Sequence, residues 1–220
     1  MPSPPPGLVC LQGGNELTAP CREMDSELLA RAPHRRTVVV PLASRRGSDY
    51  SRTADHALRY LTALGADVAV PDDPRRDTAQ ALALIAEAGL IVLTGGSPRL
   101  LRDGLVETGL DAAIRDASRS GAVVMGASAG AMVACDTTLL PQWRGNPASG
   151  PGIGLVHDYV VVPHFDGKRT AWVREALANA PAVLGIPECS GVIVDGAELT
   201  AVGREPSTLI TATARQGLPL

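Results

Sequence analysis

The chain has 220 residues, 45% of them hydrophobic, and a net charge of -3. That length suits one α/β domain with a sizeable core, expected to span 1–220 with unstructured tails at 1–7 and 214–220. An aromatic content of 3% leaves no platform for stacking bases, the mild acidity argues against a nucleic-acid partner, and no apolar run reaches the roughly 18 residues of a membrane span.

Short apolar runs alternate with longer amphipathic, Ala- and Leu-rich runs. In chain order the pattern predicts a strand at 8–11, a helix at 24–32, a strand at 37–42, a helix at 51–64, a strand at 67–70, a helix at 78–87 and a strand at 90–93. Helices follow at 98–108 and 109–120, then a strand at 122–125, a helix at 129–135, a strand at 159–162, a helix at 168–178 and a strand near 183–186. Strands nearly continuous in Val, Leu and Ile are buried on both faces, as parallel strands are. Their alternation with helices predicts a three-layer α/β/α sandwich around a mostly parallel sheet. Val192-Ile193-Val194, Asp195-Gly196 and residues 199–202 read as a C-terminal β-hairpin. Residues 138–154, with Trp143, Arg144 and several glycines, read as a loop walling a pocket. The proline-rich Met1–Pro6 lacks the basic and apolar regions of a secretory leader. The four cysteines (Cys10, Cys21, Cys135, Cys189) form no Cys-x-x-Cys pair. Free thiols, no zinc site and a cytoplasmic location are the expectation.

The most informative stretch is Val123-Val124-Met125-Gly126-Ala127-Ser128-Ala129-Gly130. An apolar run enters Gly-x-Ser-x-Gly and a helix-forming run leaves it, the layout of a nucleophile elbow. The small flanking residues allow a tight turn that lifts Ser128 toward solvent. The Ala129 amide then points to where an oxyanion forms.

Ligands of open α/β sheets bind beyond the carboxyl ends of the strands, and five polar or glycine-rich elements fall at such ends. They are Gln12-Gly13-Gly14-Asn15-Glu16, Gly95-Gly96-Ser97, Ser128, His164 and Glu188. His164 is the best general base, because an imidazole takes a hydroxyl proton near neutral pH and returns it to a leaving amine. Glu188 is the preferred partner to fix its tautomer; Asp166, Asp136, Asp158 and Asp195 are the alternatives. Two glycines let an amide approach a substrate oxygen, so Gly96 joins Ala129 as a candidate oxyanion hole, with Asn15, Gly95 and Ser97 as substrate-binding candidates. Cys135 reads as a packed helix residue and not a second nucleophile.

The residues resemble the cyanophycinase and aspartyl dipeptidase family of serine peptidases. The matching pieces are Leu11-Gln12-Gly13-Gly14-Asn15-Glu16, Thr94-Gly95-Gly96-Ser97-Pro98, Gly126-Ala127-Ser128-Ala129-Gly130-Ala131, Pro163-His164-Phe165-Asp166 and Gly185-Ile186-Pro187-Glu188-Cys189-Ser190, in family order along almost the whole chain. The resemblance implies a class I glutamine amidotransferase-like, flavodoxin-like fold, with Ser128 as nucleophile and His164 as base. For the acid it implies a Glu from the block of Glu188 or, in the dipeptidase branch, an Asp soon after the serine helix, where Asp136 is nearest. It implies a cofactor-independent, metal-free hydrolase of a small peptide or amide, with Asp-containing dipeptides or β-aspartyl linkages as the substrate class. Arg169 and Arg174 are candidate partners for an aspartyl carboxylate. The chain departs from the cyanophycinases at Val162-Pro163, where Asp-Gln is usual, in its thinned basic helix, and at Ser97, where Asp or Asn is common. A non-catalytic binding or assembly module on the same scaffold, and an esterase, are the alternative functions. A homodimer is the possible assembly.

Overall fold

The computed structural model describes residues 7–220. The expected leader-free tail Met1–Pro6 lies outside them. Five parallel strands carry the fold: β1 (Val9–Gln12), β2 (Arg36–Val40), β3 (Asp67–Ala69), β4 (Leu90–Leu93) and β5 (Val123–Ala127). Alternate residues of each strand face opposite sides. Cys10, Val39, Val92 and Met125 pack beneath α1 (Arg22–Arg31) and α2 (Ser48–Ala63). Leu11, Val38, Val40, Ile91, Leu93 and Val124 pack beneath α3 (Thr78–Ala86), α4 (Pro98–Thr108), α5 (Leu110–Arg119) and α6 (Ala129–Ala134). Local chemistry sets several helix ends. Asp77 accepts from the Ala79 amide at the start of α3, Ser97 caps α4 through the Leu100 amide, and Gly109 ends α4 in the left-handed region at φ 69°.

Two findings go beyond the expected single sheet. The hairpin β6 (Thr137–Leu140) and β7 (Ala148–Pro151) occupies most of the segment read as a loop, because Leu139 and Leu140 are buried; the tip, with Trp143, is exposed. The later strands β8 (Tyr159–Pro163) and β9 (Ala182–Ile186) pair in parallel with each other in a second sheet, covered by α7 (Thr170–Leu177). β10 (Ser190–Asp195) and β11 (Glu198–Gly203) form the expected hairpin and extend the main sheet beside β1, giving the order β11-β10-β1-β5-β4-β2-β3.

The reading of 1–7 and 214–220 as tails is corrected where the chain is described. The Gly7 amide donates to the Ser118 carbonyl at 2.7 Å. β12 (Thr208–Thr211) pairs with β9, and β13 (Arg215–Gly217) pairs with β12. Backbone pairing and burial of Leu218 hold this end, although its side chains otherwise read as polar. Among the described residues, no helix is long and apolar enough to cross a membrane.

Candidate active site

The carboxyl ends of β1, β4 and β5 and those of β8 and β9 meet at one rim. Ser128 lies between β5 and α6 with φ 48° and ψ -103°. That backbone region is strained for a residue with a Cβ, by about 1–3 kcal/mol. The surrounding contacts impose it. A Cβ at Gly126 would fall 2.6 Å from the Gly130 carbonyl carbon, and one at Gly130 would fall 2.1 Å from the Leu93 carbonyl oxygen. Both glycines of the elbow are therefore required by close approach of strand and helix.

Three successive carbonyls at the end of β1 grip the three segments that carry the site. The Ser128 amide donates to Gln12 O at 2.9 Å, the His164 amide to Gly13 O at 2.8 Å, and the Cys189 amide to Gly14 O at 2.9 Å. His164 and Cys189 have φ of 50° and 53°, so each segment is bent where it is held. Gly14 has φ 118°, and a Cβ there would lie 2.2 Å from Cε1 of His164. The imidazole packs where a side chain would otherwise be.

This row aligns the side chains. Ser128 Oγ lies 3.0 Å from His164 Nε2, and His164 Nδ1 lies 2.8 Å from Glu188 Oε1. A carboxylate only accepts, so it directs the proton to Nδ1 and leaves Nε2 to accept from the serine hydroxyl. Asp136 is not at this histidine. It bonds Nδ1 of His157 at 2.7 Å. Asp166 accepts from the Lys168 amide, and Asp195 ends β10 far along the strand from Ser190. Cys21 and Cys135 do not compete as nucleophiles, since burial pushes their thiols up to about 12.

The Gly96 amide, and the Ala129 amide in the first turn of α6, have no acceptor among the described residues. Gly95 differs. Its amide donates to Glu16 Oε1 at 2.6 Å, so it braces the turn and is not free for a ligand. Glu16 is the residue the sequence reading left without a role. Its signal was a carboxylate ending one glycine turn while a second glycine turn offered amides. Ser97 is engaged as the cap of α4, and Asn15 Nδ2 donates to Cys189 Sγ at 3.4 Å. Both hold loops together. Arg169 lies over the Trp172 ring at 5.6 Å, and with Arg174, Arg215 and Phe165 it lines a cavity of about 280 Å³ whose walls do not include Ser128 or His164. Another cavity, of about 450 Å³, is lined by Gly96, Ser97, Ser44, Arg45 and Arg52.

Residues 9–202 match the model of peptidase family S51. The chain belongs to peptidase family S51. Membership makes this S51 chain a hydrolase of the serine-peptidase kind. It is 30% identical over 155 residues to Peptidase E of Citrobacter koseri, covering 64% of this chain and 67% of that protein. Its fold is similar to that of a peptidase from an acI-B1 Actinobacterium, with TM-score 0.80, 23% identity and coverage of 97% and 94% of the two chains. It is also similar to a candidate peptidase E from Listeria monocytogenes EGD-e, with TM-score 0.68, 18% identity and coverage of 91% and 100%.

Proposed function

We propose that this S51 chain cleaves a small acidic peptide or amide through a Ser128–His164–Glu188 triad and an acyl-enzyme. The observation that carries the reading is the unbroken bond path from Ser128 Oγ through both nitrogens of His164 to Glu188. Ser128 Oγ attacks the carbonyl carbon while His164 Nε2 takes its proton. The negative oxygen is held by the Gly96 and Ala129 amides, each such donor contributing about 3 kcal/mol to the transition state. Collapse breaks the C–N bond, and His164 returns the proton to the leaving amine. Water, deprotonated by His164, then splits the serine ester and restores the hydroxyl.

The substrate class follows the family resemblance and the relative named Peptidase E. An aspartyl carboxylate calls for a guanidinium fork. Arg169 and Arg174 are the proposed partners. Arg45 and Arg52, which share a cavity with Gly96, are the second set to test.

Ser128→Ala is expected to abolish hydrolysis of an Asp-Xaa dipeptide, a loss of about 10⁶-fold in kcat, with the melting temperature nearly unchanged. Hydrolysis that persists in this variant removes Ser128 from the mechanism.

A further inference from the structure

Behind the rim, on the face of the main sheet covered by α1 and α2, sits a polar group the mechanism does not use. Gln12 and Asp25 are buried, with 1% and 2% of their surface exposed. Gln12 Nε2 donates to Asp25 Oδ1 at 2.8 Å, and Tyr60 Oη donates to Asp25 Oδ2 at 2.8 Å. No cation among the described residues pairs with this carboxylate, and Glu16 adds repulsion. Gln12 Oε1 has no partner among the described residues. A buried carboxylate without a cation is costly, and apolar residues would pack this space at lower cost.

The same Gln12 supplies the first carbonyl of the row that grips Ser128, His164 and Cys189. Its neighbours are Gly13 and Gly14, which stiffen nothing by themselves. The Gly13 amide donates to Ser190 O at 2.9 Å, which pins the Gln12–Gly13 peptide from the β10 side, and the Gln12 side chain adds a further anchor from α1. We propose that Asp25 is a positioning residue for the nucleophile and base, acting through the Gln12 side chain on the carbonyls that hold them. The charge-assisted bond to Asp25 anchors the Gln12 amide, the anchored residue orients its carbonyl, and the carbonyl sets the Ser128 amide and so the Oγ position. The inference rests on the triad reading given above.

The test is the rate of Ser128 labelling by a fluorophosphonate, measured against probe concentration to separate the maximal rate from probe affinity. No substrate need be known. Asp25→Ala and Gln12→Met are each expected to slow the maximal rate about 10- to 100-fold with affinity unchanged, the scale of a misplaced reacting group. Asp25→Asn, which keeps an acceptor for Gln12, and Tyr60→Phe, which leaves the Asp25–Gln12 bond, are expected within about threefold of the parent. Where Asp25→Ala does not fold, Gln12→Met carries the decision. Parent-like labelling of folded Gln12→Met, or of folded Asp25→Ala, overturns the positioning role and leaves the triad standing. A parent chain that labels no faster than Ser128→Ala overturns both.

Discussion

Among the described residues are two histidine–carboxylate pairs of nearly equal length. His164 and Glu188 are 2.8 Å apart, and His157 and Asp136 are 2.7 Å apart. Both use Nδ1, so one-bond chemistry does not tell them apart. The difference lies on the other side of each ring. His164 Nε2 meets a serine hydroxyl at 3.0 Å, whereas His157 Nε2 has no partner among the described residues. The environments differ too. The His157 side chain is 70% exposed, against 35% for His164. His164 is bent to φ 50° and held by Gly13, while His157 is not in the left-handed region. A carboxylate beside an imidazole is a common surface pair with little net energy. A strained backbone, a packed ring and a third group in line set the His164 pair apart as the proposed site.

The largest effect that sharpens this contrast is at the acid. Glu188→Gln is expected to lower kcat by about 10²- to 10⁴-fold, because the amide no longer fixes the tautomer or stabilises the imidazolium. Steady-state assay of an Asp-Xaa dipeptide checks it, and an undiminished rate would place the acid elsewhere. Next is the ring's seat. Gly14→Ala puts a methyl 2.2 Å from His164 Cε1 at φ 118°, so a loss of about 10²-fold in labelling of Ser128 is expected in a folded chain.

The third effect is on stability. Burial raises Asp25 from its ordinary 3.8 to about 6, against the lowering influence of Gln12 and Tyr60. The folded state thus holds the proton more tightly than the unfolded one. Stability from this group is greatest below pH 3.8, falls as pH rises toward 6, and stays reduced above it by about 3 kcal/mol. Asp25→Asn removes that descent. Denaturant unfolding at pH 4 and pH 7 should show the gap between pH values shrinking in the variant; an unchanged gap would mean that Asp25 does not titrate in this range. The smallest effect is at the other pair. Asp136→Asn is expected to leave kcat within about twofold and to cost less than about 1 kcal/mol of stability. A large activity loss there would erase the contrast drawn between the two histidines.

Much of this was legible in the chain itself. The run from Val123 to Ala127 with its flanking glycines announces a strand, a tight turn and a helix, because only small residues let those backbones approach within about a Cβ of each other. The Pro98–Thr108 helix could be read from its capping serine and closing glycine. The hairpin strand at Ala148–Pro151 and the strand at Arg215–Gly217 could not, since their pairing is made by backbone groups and their side chains look like those of loops. Gly95 and Ser97 had the composition of a ligand cradle, yet Glu16 and the Leu100 amide occupy them.

The amino-acid order by itself determined the alternating elements, the serine turn and the presence of an imidazole and a carboxylate after later strands, because periodicity and residue size are local properties. Only the tertiary structure decided which carboxylate reaches which histidine, that the strands divide between two sheets, and that Gln12, Gly13 and Gly14 hold all three segments. Those outcomes depend on hydrogen bonds between main-chain atoms far apart in the chain, and every residue carries the same main-chain donor and acceptor, so no letter of the sequence marks them.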